Sequence, residues 1–294
     1  MEFKGVYTAI LTPFSSDGKN IDYGAYKTLV ERQIQAGVTG IVPCGTTGES
    51  PTLTHKEHGE LIEKTVEYVN GRIQVVPGTG SNSTAEAIKI TQEACRAGVD
   101  AVMLVNPYYN KPSQEGLFQH FKTVSEASTK PVMLYNIKGR TSVNIEVPTL
   151  LRLCDVQNIK AVKEASGDPG QMARVQKACG QKLSMLSGDD NIVPAVMGLG
   201  GRGVVSVASN LFPAKIVKMM NYYLKDDFKN GNEIFYSLLD FMNALFWETN
   251  PVPVKAGAAI MGLCSGSIRL PLVELDGEKQ AKLKELILKL GEDE

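Results

Sequence analysis

The chain has 294 residues, 43% of them hydrophobic and 21% charged, an ordinary soluble composition with enough apolar residues for a large core. Its 31 lysines and arginines nearly balance 32 aspartates and glutamates, for a formal net charge of −1, so nothing favours a phosphate backbone and nucleic acid is excluded as an expected partner. No window reaches the roughly eighteen uninterrupted apolar residues of a membrane span, which excludes a membrane protein of the helical kind.

Met1 to Gly5 runs into a strand-like segment with no charged and then apolar leader, so a cytoplasmic location is expected. Cys44, Cys95, Cys154, Cys179 and Cys264 are odd in number, spread apart and without CxxC spacing, which reads as reduced thiols. His55 and His58 are the only close pair among three histidines, so no metal is expected.

In chain order, short runs rich in Val and Ile occupy 6–11, 38–44, 73–77, 101–105, 132–135, 159–162, 183–186 and 204–207. Amphipathic, helix-period stretches separate them. Ser83-Thr84-Ala85-Glu86 has capping-box spacing into an apolar run, and Ala36-Gly37-Val38 and Ala97-Gly98-Val99 end helices on a left-handed glycine. Strand and crossover helix repeated with short links predict a parallel sheet, and eight such units predict a closed (β/α)₈ TIM barrel. An open doubly wound sheet is the competing architecture, but its dinucleotide-binding form carries a GxGxxG turn, whereas the first strand here leads into Leu11-Thr12-Pro13-Phe14. Beyond residue 224 only helices are expected, at 232–247, 252–261 and 278–290. The predicted organisation is a catalytic barrel over 1–224 and an appended C-terminal helical subdomain over 225–294.

Functional groups of such a barrel gather where strands end. The second strand is followed by Gly45-Thr46-Thr47-Gly48-Glu49-Ser50, whose hydroxyls and N–H groups suit a carboxylate or phosphate oxygen, and equally an ordinary capped turn. Asn106-Pro107-Tyr108-Tyr109-Asn110-Lys111-Pro112 follows the fourth strand, Tyr135-Asn136 ends the fifth, and Gly139-Arg140-Thr141 comes next. Tyrosine hydroxyls at separate strand ends can pass protons, and an arginine fork can grip a carboxylate. Lys163 ends the apolar run Ile159-Lys160-Ala161-Val162. Burial there would favour a neutral amine, which is a nucleophile toward carbonyls.

With Lys163-Glu164-Ala165 and Ser187-Gly188-Asp189-Asp190, this ordered set resembles the dihydrodipicolinate synthases, within the pyruvate-dependent class I aldolase family that includes N-acetylneuraminate lyase. The similarity spans nearly the whole chain. It implies that Lys163 forms an imine with pyruvate, without metal or organic cofactor. It implies that Thr47 and the adjacent backbone hold the pyruvate carboxylate, with Gly188 and the Val205 carbonyl also at the substrate. Thr46, Tyr135 and Tyr109 resemble the family's proton relay, Tyr109 reaching across a dimer interface in a tetramer of tight dimers. Arg140 resembles the arginine that receives the carboxylate of L-aspartate-β-semialdehyde, although Lys138 stands where the synthases commonly have proline. Ser50, His55, His58, Asn82, Glu86 and Tyr108 match the L-lysine feedback site of inhibited members.

The expected activity is therefore condensation of pyruvate with L-aspartate-β-semialdehyde, feeding diaminopimelate and lysine synthesis. The alternatives are a sugar-acid aldolase or lyase acting on N-acetylneuraminate or a 2-keto-3-deoxy acid, and a non-catalytic barrel that senses a keto acid or lysine.

Overall fold

The computed structural model describes residues 1–293. Among them, eight strands run in the order β3-β2-β1-β8-β7-β6-β5-β4: β1 Gly5–Ala9, β2 Gly40–Val42, β3 Gln74–Val75, β4 Val102–Val105, β5 Val132–Asn136, β6 Ile159–Glu164, β7 Ser184–Ser187 and β8 Gly203–Ser206. Every strand pairing is parallel. A parallel bridge between Gly78 and Met103 joins the remaining edges, with Thr79 N–H donating to the Met103 carbonyl at 2.9 Å and Met103 N–H to that of Pro77 at 2.8 Å. The sheet is thus closed, and the open doubly wound alternative falls.

The helices are α1 Tyr23–Gln35, α2 His55–Val69, α3 Thr84–Ala97, α4 Gln114–Glu126, α5 Lys138–Thr141, α6 Val147–Leu153, α7 Pro169–Cys179, α8 Val193–Gly198, α9 Pro213–Tyr223, α10 Phe228–Ala244, α11 Val252–Ile260 and α12 Gly277–Leu290. Their starts follow local chemistry. The Ser83 hydroxyl accepts from Glu86 N–H at 3.4 Å, as the spacing predicts, and Thr54 with Glu57 forms a full reciprocal capping box at the head of α2. Gly98 ends α3 with φ 93°, the left-handed value expected of it.

Alternation along the strands sorts the core into two layers. Tyr7, Val42, Met103, Met133, Tyr135, Ala161, Leu186 and Val205 form one apolar cluster inside the barrel. Their strand neighbours, among them Val6, Ile41, Leu104, Leu134, Val162 and Val204, belong to a larger cluster beneath the helices. Leu238 and Phe241 of α10, Val254 of α11 and Leu283 of α12 are part of that same outer cluster. The Phe212 and Phe241 rings meet edge to face at 5.1 Å, which packs α10 against the exit of β8.

The sixth strand is longer than the sequence predicts. The apolar run of the sixth strand ends at Val162, yet β6 continues through Lys163 and Glu164, pairing with both neighbours to its end. Glu164 is wholly buried on the outer side of the sheet, where Asn136 Nδ2 donates to its carboxylate at 3.1 and 3.2 Å and Ser166 N–H at 2.9 Å. These donors let a charged residue close an interior strand.

Candidate active site

The β5–β6 register sets Tyr135 directly opposite Lys163. Counting by twos from Ala161, Lys163 points into the barrel, where it is 5% exposed with its Nζ 4.0 Å from the Tyr135 ring centroid. Burial pulls the amine down from 10.5 to about 8; Asp189 and Asp190 oppose that fall and Arg140 adds to it. Such a change favours the neutral amine by about 3 kcal/mol and brings its share at pH 7 from roughly one in three thousand to roughly one in ten. Burial pushes the Tyr135 phenol well above its usual range, opposed by the Arg140 charge and, less, by the neighbouring Thr46 hydroxyl. The phenol is therefore a neutral hydroxyl, able to donate and accept in turn.

The space around the amine is kept by what is missing. A Cβ on Gly188 would stand 2.6 Å from the Ala165 Cβ and 3.2 Å from the Lys163 Cε, so only glycine lets β7 exit beside this lysine. Gly188 N–H donates to the Glu164 carbonyl at 2.8 Å, which fixes that approach. Val205 lies fully buried on β8 and belongs to the inner cluster with Tyr135.

The turn after β2 brings its two threonines to different partners. Thr46 is half-buried and reaches Tyr135. Thr47 is buried and accepts from Asn250 Nδ2 at 3.0 Å. The Asn250 carbonyl in turn accepts from the Arg140 guanidinium at 3.2 Å. Asn250 thus couples the turn to the arginine, and the sequence reading did not select it. Its one signal is the Asn-Pro dipeptide that opens α11, which marks a turn without revealing what the side chain meets.

A buried amide network was also missed. Asn106 donates to the Asn136 side chain at 3.1 Å and to the Val143 carbonyl at 2.7 Å, while Asn136 donates to Asn144 at 2.9 Å as well as to Glu164. This network ties the loop after α5 to the ends of β5 and β6, the strands that carry Tyr135 and Lys163. In the sequence, Asp189 and Asp190 stand out only as part of the Ser187-Gly188-Asp189-Asp190 motif. Asp190 is buried and accepts from Val207 and Ala208 N–H at 2.8 and 3.0 Å; its charge, after that of Asp189, favours the Lys163 ammonium.

A cavity of about 480 Å³ is lined by Thr46, Ile137 and Arg140 together with Ser50, His55, His58, Glu86 and Tyr108. Lys163 is not on its wall; the Thr46–Tyr135 contact links the two. His55 Nε2 lies 3.4 Å from the Glu86 carboxylate, which also accepts from the Ser81 hydroxyl. His58 meets the Gly78 carbonyl at 3.1 Å, and burial lowers its pKa, so it stands there as a neutral ring donating from Nε2. The Tyr108 hydroxyl lies beside Ser81 and the Asn82 backbone, and its pKa is raised by burial and by Glu86. Asn82 is not on the cavity wall, and its carbonyl accepts from Asn110 at 2.8 Å.

Tyr109 is 90% exposed, apart from the buried Tyr135 and Lys163 of its own chain. It adopts φ 72°, and Lys111 φ 44°, two left-handed non-glycine residues in one short loop. Such conformations persist where the surroundings or a function impose them. Among the described residues no group of three or more His, Cys, Asp or Glu side chains is placed to hold a metal ion, and no helix is long and apolar enough to cross a membrane.

The arrangement recurs in known proteins. The model of the dihydrodipicolinate synthetase family matches residues 2–290. The 4-hydroxy-tetrahydrodipicolinate synthase of Leptospira biflexa serovar Patoc is 54% identical over 293 residues, covering 99% of each chain. A dihydrodipicolinate synthase of Acinetobacter baumannii, solved with pyruvate, superposes with a TM-score of 0.96 at 38% identity, over 98% of this chain and 99% of that one. The corresponding enzyme of Cyanidioschyzon merolae, solved with lysine bound, gives 0.95 at 38% identity over 98% of both. Closed barrel, buried lysine facing a tyrosine, and full-length similarity agree: the chain belongs to the dihydrodipicolinate synthetase family.

Proposed function

We infer that the chain acts as a 4-hydroxy-tetrahydrodipicolinate synthase, condensing pyruvate with L-aspartate-β-semialdehyde. The observation that carries the reading is the buried Lys163 amine, lowered to about 8 and held against Tyr135 and its Thr46 partner. The neutral amine adds to the pyruvate keto carbon, and loss of water leaves the imine. Removal of a methyl proton gives the enamine, whose carbon attacks the aldehyde; the aldehyde oxygen takes a proton and becomes the hydroxyl. The semialdehyde's amino group then adds to the imine carbon, closing the ring and expelling the Lys163 amine.

Each step moves a proton, and Thr46 and Tyr135 supply hydroxyls that can pass it. Tyr109 completes that relay from a neighbouring copy, which its exposure favours, in a tetramer built of tight dimers. Thr47 with the turn's backbone holds the pyruvate carboxylate, beside the close approach of Gly188 and the carbonyl of Val205. Arg140, steadied by the Asn250 carbonyl, receives the second carboxylate. The imine supplies the electron sink from the protein's own amine, so the reading calls on no metal or organic cofactor. The five free cysteines suit the reducing cytoplasm.

Arg140 separates this reading from a sugar-acid lyase that would use the same imine. In steady-state assays the semialdehyde should be turned over with pyruvate, whereas N-acetylneuraminate and 2-keto-3-deoxy acids should not be cleaved. Arg140→Ala should lower kcat/KM for the semialdehyde on the order of a hundredfold, with imine formation changed far less. Cleavage of a sugar acid at a comparable rate contradicts the assignment.

Tyr109 is tested by mixing. Tyr109→Phe and Lys163→Ala proteins, each impaired alone, should regain activity once their subunits exchange, because some sites then hold both groups. No recovery in verified mixed dimers would place the tyrosine's action within its own chain.

The cavity beyond Arg140 suits L-lysine as a feedback inhibitor. Glu86 offers an anion for an ammonium, Ser50, His55, His58 and Tyr108 line the same cavity with polar groups, and Asn82 stands behind Tyr108, off the wall. Lysine should inhibit in a way that pyruvate does not overcome, and Glu86→Ala should abolish the effect. Full activity at millimolar lysine, without calorimetric binding, would reduce the cluster to packing and helix caps.

A further inference from the structure

The turn that presents Thr46 and Thr47 ends in a buried ion pair that the reaction itself does not use. Glu49 of the turn and Lys255 of α11 are each 1% exposed and joined through Oε1 and Nζ. The other carboxylate oxygen of Glu49 accepts from the Arg269 N–H at 3.1 Å. Glu49 adopts φ 54°, its own N–H donates to the Thr46 carbonyl at 3.1 Å, and its carbonyl accepts from Thr52 N–H at 3.0 Å. A left-handed glutamate is disfavoured unless its side chain is held, and here the side chain is what reaches the pair.

The pair is built in from the helical side. The Lys255 Nζ lies 4.0 Å and the Arg269 guanidinium 4.2 Å from the Phe14 ring centroid, so two cations share one ring. Arg269 is anchored by the Glu57 carboxylate at 2.6 and 2.9 Å. Burial lowers the Lys255 pKa while Glu49 opposes the fall, so the ammonium depends on this one anion. Lys255 is not a second nucleophile: its head group is committed to Glu49 and it is not on the cavity wall. A buried pair adds little stability over apolar residues of the same volume, which leaves geometry as what it supplies. Asn250, just before α11, bonds Thr47 in the same turn, so the turn is held at two points from one helical region.

We propose that Glu49 and Lys255 are positioning residues through which the C-terminal helices fix the Gly45–Ser50 turn, and thereby set the affinity of the site for the pyruvate carboxylate. This rests on the imine reading of the same site.

The test compares the wild type with Glu49→Gln and with the double variant Glu49→Gln/Lys255→Met, measuring thermal midpoint, kcat and the KM values in the condensation assay. The double variant removes both charges, so its midpoint should stay near that of the wild type while pyruvate KM rises about tenfold and kcat changes less than about threefold. Glu49→Gln alone should raise pyruvate KM similarly and also lower the midpoint, because it leaves Lys255 without its anion. A purely structural pair would move the midpoint only, so unchanged pyruvate KM in the folded double variant overturns the proposal. If the double variant does not fold, Glu49→Gln decides by the same criterion. Absence of pyruvate turnover in the wild type would overturn the imine reading and this inference with it, whereas normal wild-type turnover with unaltered variant KM overturns this inference alone.

Discussion

Everything at this site depends on one cost: an amine has been placed inside a barrel, where its charged form is poorly solvated. The β5–β6 ladder imposes that placement, because the alternation that buries Ala161 also turns Lys163 inward, opposite Tyr135. The protein does not remove the penalty. It tempers it with Asp189 and Asp190, so that the amine falls to about 8 rather than further. On the imine reading, a lysine at that value is useful because it can be neutral when it attacks and protonated when it leaves.

The surrounding polar groups keep this geometry while the carboxylate adjacent in sequence faces away from the amine. Glu164, next in sequence, is turned to the other side of the sheet and satisfied by amide and backbone N–H donors. Asn136 belongs to the same group and ends the strand that carries Tyr135, so one network sets the ends of both strands, that of Tyr135 and that of Lys163. On the far side, the helices that follow the barrel reach back through Asn250 and Lys255 to the threonine turn. They are therefore part of the site's scaffold as well as its outer packing.

The barrel was readable because its signals are local and repeated: eight apolar runs, helix starts such as Ser83, and glycine stops such as Gly98 recur at regular spacing. Lys163 was readable because a lysine closing an apolar run is locally anomalous. The strand end was misjudged for the converse reason, since the charge of Glu164 reads as solvent until its donors, distant in sequence, are in place. Asn250 and Lys255 escaped notice because what they do depends on contacts with Thr47 and Glu49, about two hundred residues away. An asparagine before proline and a lysine in a helix carry no local mark of such a contact. The Glu86 cluster lay between these cases: its residue types were visible, while the cavity joining it to Arg140 required the fold.

The most direct test of the account is the reaction of Lys163 itself. Incubation with pyruvate and cyanoborohydride across about pH 6 to pH 10, followed by intact mass and peptide mapping, reports both the site and its ionisation. The adduct should appear on the peptide holding Lys163 and be absent from Lys163→Ala. Its initial rate should rise with pH through about 8, because deprotonation creates the nucleophile, and level off above. An adduct on a different lysine, or a rate still climbing toward the ordinary lysine value of 10.5, would contradict a buried, depressed amine as the centre of this site.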